Sequence, residues 1–118
     1  MGNSFKIPWP DRSMHPNSRK DRRHTTAIRN RYKQTCWALC KEAKPDASLT
    51  HLSITFRPPD NRRRDLDGML SACKYGLDGI AEALGVDDYE WSLSIRRGDK
   101  DPDKMGFVEI TLTENRSE

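Results

Sequence analysis

Between residues 66 and 84 the chain carries apolar side chains at Leu66, Leu70, Cys73, Leu77, Ile80 and Leu84, spaced 4, 3, 4, 3 and 4. That spacing predicts a helix from about Asp67 to Leu84 with a single apolar stripe. A helix of this kind is not stable alone. It must bury its stripe against another layer. Gly85 is suited to end it. The internal Gly68, Gly76 and Gly79 cost helix propensity, so close approach to a sheet or a partner helix is expected to hold it.

The rest of the chain supplies that layer. Ile28, Tyr32, Cys36, Leu39 and Ala43 predict a second helical face from about Thr25 to Ala43, with Thr25 or Thr26 as its N-cap. Three segments alternate instead. His51 to Arg57 sets Leu52, Ile54 and Phe56 against Ser53 and Thr55. Tyr89, Trp91, Leu93 and Ile95 alternate with polar residues up to Arg96. Phe107 to Thr113 repeats the pattern. The opening Phe5 to Pro10 suits a short edge strand, since proline lacks a donor. The expected order is β-α-β-α-β-β: an α/β fold with two helices over a small mixed sheet. The 118 residues suffice for one domain, 1–118, with a basic N-terminal strand and loop over 1–24 and a frayed tail over 114–118.

Composition limits the function classes. Apolar residues make up 34% and charged residues 33%, so the core is thin and much of the surface serves something other than packing. No apolar run approaches the roughly 18 residues of a membrane span, and no leader-like apolar stretch precedes Pro8. The expected compartment is the cytoplasm. Three cysteines, Cys36, Cys40 and Cys73, imply no paired disulfide framework. Cys36 and Cys40 lie four apart, but no nearby His or Cys completes a tetrahedral metal set, and buried thiols are the simpler expectation.

The net charge of +3 conceals an asymmetry. Residues 1–64 hold 15 Lys or Arg against 5 Asp or Glu; residues 65–118 hold 6 against 13. A basic part that grips a polyanion beside an acidic part that holds cations would read this way. So would a surface whose charges mix on folding. The basic loop includes Arg12, Arg19, Lys20, Arg22 and Arg23.

The densest chemistry is Arg62-Arg63-Arg64-Asp65-Leu66-Asp67. Residues two apart face the same way in extended backbone, so Asp65 and Asp67 are expected to project together while Leu66 enters the core. Two converging carboxylates repel, and a Mg²⁺ ion would relieve that conflict. A second pair, Asp87-Asp88, follows the same helix; a loop there could face the first pair if the helix packs back across the sheet. Lys74, about two turns beyond Asp67, is placed to stabilise charge on a scissile phosphate. Against this stands a plainer reading. Asp65 and Asp67 would cap a helix and pair with the arginines, Asp87-Asp88 would form a turn, and Lys74 would lie along the surface.

The string RRRDLDG, the amphipathic helix after it and GVDDYEW together resemble the RusA family of Holliday-junction resolvases, found in bacteria and their phages. IPWPDRS at the start and GFVEITLTE at the end are similar to that family's first and last segments, so the resemblance covers most of the chain. It implies a RusA-like homodimer that binds a four-way DNA junction and makes paired, metal-dependent nicks in recombination and repair. By position the implied Mg²⁺ ligands are Asp65, Asp67 and Asp88, with Asp87 a possible substitute. Mn²⁺ is a plausible replacement ion, and no small-molecule cofactor is implied. Arg64 matches a basic position before the first Asp. Two positions depart from the pattern: Gly68 stands where the family has Asn, and Ser71 where it has Lys, which leaves Lys74 as the candidate lysine. Arg62 and Arg63 with the basic loop would grip phosphates, a grip largely independent of sequence. Trp9 is the tryptophan open to base stacking; Trp37 and Trp91 fall on regular elements. Two other classes fit parts of the pattern: a non-catalytic DNA-binding accessory protein, and a protein–protein adaptor.

Overall fold

The computed structural model describes residues 3–14 and 22–114, without the side chains of Ser13 and of 22–24. The chain runs β1 (Ser4–Pro8), a short 3₁₀ turn (Arg12–Met14), α1 (Arg22–Ala43), β2 (His51–Arg57), α2 (Leu66–Leu84), a second 3₁₀ turn (Asp88–Glu90), β3 (Ser92–Arg97) and β4 (Phe107–Thr113). The four strands form one mixed sheet in the order β1-β4-β2-β3. β2 and β3 are parallel; β4 is antiparallel to both β2 and β1. The expected α/β architecture is therefore the one observed.

Strand alternation sets which face is dry. Leu52, Ile54 and Phe56 on β2 and Val108, Ile110 and Leu112 on β4 are buried, while the residues between them are only half-covered. This apolar face meets the stripes of both helices: Tyr32, Cys36 and Cys40 from α1, and Met69, Cys73, Leu77 and Ile80 from α2. Each such large side chain contributes about 1.5–3 kcal/mol on burial. All three cysteines are free and buried in this core. Burial pushes the Cys36 and Cys73 thiols up to about 12, so they are packing groups and not ligands or nucleophiles.

The glycines of α2 divide into two kinds. A Cβ on Gly79 would lie 2.3 Å from the Lys33 carbonyl oxygen, and one on Gly76 would lie 2.7 Å from the Tyr32 ring. The expected close approach is thus to α1. Gly68 is different: a Cβ there would meet nothing within 4 Å.

Two boundaries differ from the sequence reading. α1 begins at Arg22, so Thr25 lies inside the helix, buried, and neither it nor Thr26 is the N-cap. The alternation from Tyr89 is not all strand. Asp88–Glu90 form a 3₁₀ turn that leaves Tyr89 78% exposed, and β3 starts only at Ser92. Arg19 and Lys20 lie outside the described residues, as do the side chains of Arg22 and Arg23.

Candidate phosphate-binding site

β2, α2 and β3 form a parallel crossover. The strand ends at Arg57, the helix starts at Leu66, and the next strand leaves from Ser92 beside His51. In such a unit the helix returns antiparallel to its strands. Its N-terminus therefore sits at the C-terminal ends of β2 and β3, where open α/β sheets place their ligands.

At that end lies a cleft of about 400 Å³ lined by Asn61, Arg62, Arg63, Arg64, Asp65 and Arg97. The local chain is held by its own charges. The Asp60 carboxylate takes Arg64 Nη1 at 2.9 Å and the Arg62 amide at 2.9 Å, and lies 3.8 Å from Arg62 Nε. The Arg64 hydrogen bond, then the Arg62 amide, hold the Asp60 carboxyl below the usual carboxylate range. The Arg64 guanidinium also lies over the Trp9 ring, 5.5 Å from its centroid, and its side chain is only 17% exposed. Trp9 is thereby engaged in packing, edge-on to Phe56 as well. Arg97, at the end of β3, donates from Nη2 to the Arg64 carbonyl. Arg62, Arg63 and Arg97 remain exposed at the rim.

The carboxylates differ from expectation in one respect and from the plainer alternative in another. Asp65 is the extended N-cap residue of α2, with φ −81° and ψ 142°, but Asp67 is already in the first helical turn. The pair does not project from one extended stretch. Neither does it pair with the arginines. Asp65 makes no side-chain cap, and Asp67 accepts only from the adjacent Gly68 amide, at 3.0 Å. Among the described residues the arginine partner is Asp60.

Asp87 and Asp88 are at the other end of the molecule. The 19 residues of α2 span about 28 Å. Gly85 closes the helix at φ +69°, and its amide meets the carbonyls of Ala81 and Glu82. Asp87 then caps the 3₁₀ turn, accepting from Tyr89 N at 3.3 Å. The convergence of Asp65 and Asp67 with Asp88 or Asp87 inside one chain is therefore corrected: a rigid helix keeps them apart. Among the described residues no group of three or more His, Cys, Asp or Glu stands where it could hold a metal ion. Within one chain the carboxylates do not make a Mg²⁺ site.

Instead Asp78, Asp87 and Asp88, with Glu82, line a shallow acidic hollow. Partial burial raises the Asp78 carboxyl above its ordinary value, and the nearby Asp88 raises it further; Lys74 and Lys33 act in the opposite sense. Lys74 is exposed and lies within electrostatic reach of Asp78. Its printed neighbours place it toward the acidic end, not with Asp67.

Arg97 is the residue that sequence reading missed. It fell at the start of what looked like a loop. The signal was the β-α-β order itself, which brings the end of β3 to the start of α2.

No protein-family model matches the chain. Among curated proteins it is similar to one from Xylella fastidiosa (strain Temecula1 / ATCC 700964), described there as an uncharacterized protein. The two are 34% identical over 94 residues, covering 72% of this chain and 60% of that protein. The chain thus spans less than two thirds of that relative's length.

Proposed function

We propose that the protein is a structure-specific endodeoxyribonuclease that grips the phosphates of branched DNA, such as a Holliday junction, and nicks it in a Mg²⁺-dependent reaction as a homodimer. The observation that carries this reading is the arginine-lined cleft beside two exposed carboxylates at the N-terminus of α2. Arginines bind phosphate oxygens bidentately, and a helix N-terminus offers unpaired amides to an anion. Gly68 leaves the first turn open, so a backbone phosphate can approach it closely. The RRRDLDG…VDD pattern supplies the enzymatic part of the reading. A compartment open to DNA follows from the proposal; the chain's described helices include none long and apolar enough to cross a membrane.

A second reading has its own observation. Since no three carboxylates meet within one chain, the arginine cleft also suits a DNA-binding accessory protein without catalysis. A synthetic four-way junction, incubated with Mg²⁺ or with EDTA, separates the two. The nuclease reading expects metal-dependent nicking. It expects Asp67→Asn to lower the rate by about a hundredfold or more while DNA binding is kept or strengthened, since a negative charge near phosphate is removed. Binding without nicking under Mg²⁺ and Mn²⁺ selects the accessory protein.

A further inference from the structure

The sheet has two edges, and they are treated differently. β1 is guarded: Pro8 has no donor, and Lys6 is charged, its amine over the Phe107 ring at 4.5 Å. β3 carries neither a proline nor a lysine, and among the described residues nothing pairs with its outer side. Ser92 N and Gly98 N both donate inward, to Thr50 and Phe56. The alternation of a strand then turns the backbone groups of Leu93, Ile95 and Arg97 outward. Leu93 also leaves 45% of its surface exposed, on the face that elsewhere is covered by helices. An uncovered, apolar, unpaired edge is a template for another strand.

Charge selects the strand. The β3 and α2 layer is polar along its length: Asp78, Asp87, Asp88 and Glu90 at one end, Arg62, Arg63 and Arg97 at the other. A second copy approaching antiparallel sets each acidic end against the partner's arginine end. A two-fold pairing makes that match twice, as an isologous interface requires.

We infer that two copies of the chain dock by antiparallel pairing of their β3 edges, which completes across the dimer the carboxylate set that one chain cannot assemble. Pairing about Ile95 runs the start of one β3 past the end of the other. The Asp87-Asp88 corner of one copy then lies toward the Arg97 and Asp65 end of its partner. The docking rests on the edge and the charges; only its consequence for the carboxylates rests on the nuclease reading. The occupant is a second copy, and no other strand on the page has this complementary polarity.

Light scattering of the full chain over micromolar to hundred-micromolar concentration is the test. Wild type is expected to have the mass of a dimer at the upper end. Leu93→Pro removes an outward donor that no described partner uses, and Leu93→Lys places a charge in the seam; both are expected to be folded monomers. Circular dichroism checks the fold, and the lysine variant keeps the test decisive if the proline variant does not fold. A wild type that stays monomeric throughout overturns the docking, as does a folded Leu93→Lys that dimerises as strongly as wild type. The junction assay reads separately: a dimer that does not nick keeps the docking and removes the nuclease, and a monomer that nicks does the reverse.

Discussion

At the scale of single residues, the arginines of the cleft have unequal duties. Arg64 is pinned by Asp60 and Trp9, so its loss would disturb the loop as well as any ligand. Arg63 stands exposed in the cleft wall. Arg63→Ala is therefore expected to leave thermal stability within about 0.5 kcal/mol of wild type. The same change should weaken DNA binding uniformly across sequences and lower the salt slope by about 1. Binding titrations at several salt concentrations check this; an unchanged slope would take Arg63 out of the phosphate contacts. The residues also show where sequence alone stops. Asp65 and Asp67 are recognisable as a chemical pair, but whether two neighbours share a face depends on where a helix begins. α2 begins at Leu66, between them. The plainer account of Asp87 was the better one locally, since its side chain caps a turn.

Elements were more legible, because periodicity is a property of many residues at once. Six apolar positions at alternating spacings of 3 and 4 define α2 whatever its surroundings, and β2 and β4 alternate without a break. Tyr89 misled because alternation over a few residues does not separate a strand from a turn leading into one. The α2 glycines carry a sharper lesson, as equal residues with opposite consequences. Gly79 meets the α1 backbone, so Gly79→Ala forces the helices apart and is expected to cost about 1–3 kcal/mol or more. Gly68 faces open space in the first turn, so Gly68→Ala is expected to be neutral or to stabilise by up to about 1 kcal/mol. Chemical denaturation of the two variants measures both. Equal effects would mean that the α1–α2 contact is not as close as described.

For the whole molecule, the topology that builds the fold is also what divides the site. A parallel crossover fixes the two ends of its helix at opposite ends of the sheet, and Asp67 and Asp88 follow those ends. The β-α-β order in the sequence already contained this constraint; what it lacked was the pairing of β2 with β3, which no local pattern reports. The same separation gives the molecule an arginine end and an acidic end, and leaves an edge strand along which a second copy can reverse that polarity.

The most direct measurement is complementation between two crippled chains. Asp67→Asn and the double variant Asp87→Asn, Asp88→Asn are co-expressed with different tags, and the heterodimer is isolated and given a four-way junction with Mg²⁺. Each homodimer is expected to be silent. The heterodimer retains one of two complete carboxylate sets, so it is expected to nick at roughly half the wild-type rate and to leave paired cuts rare. A silent heterodimer beside an active wild type, or full activity in the Asp87 and Asp88 double variant alone, would contradict a site shared between two chains.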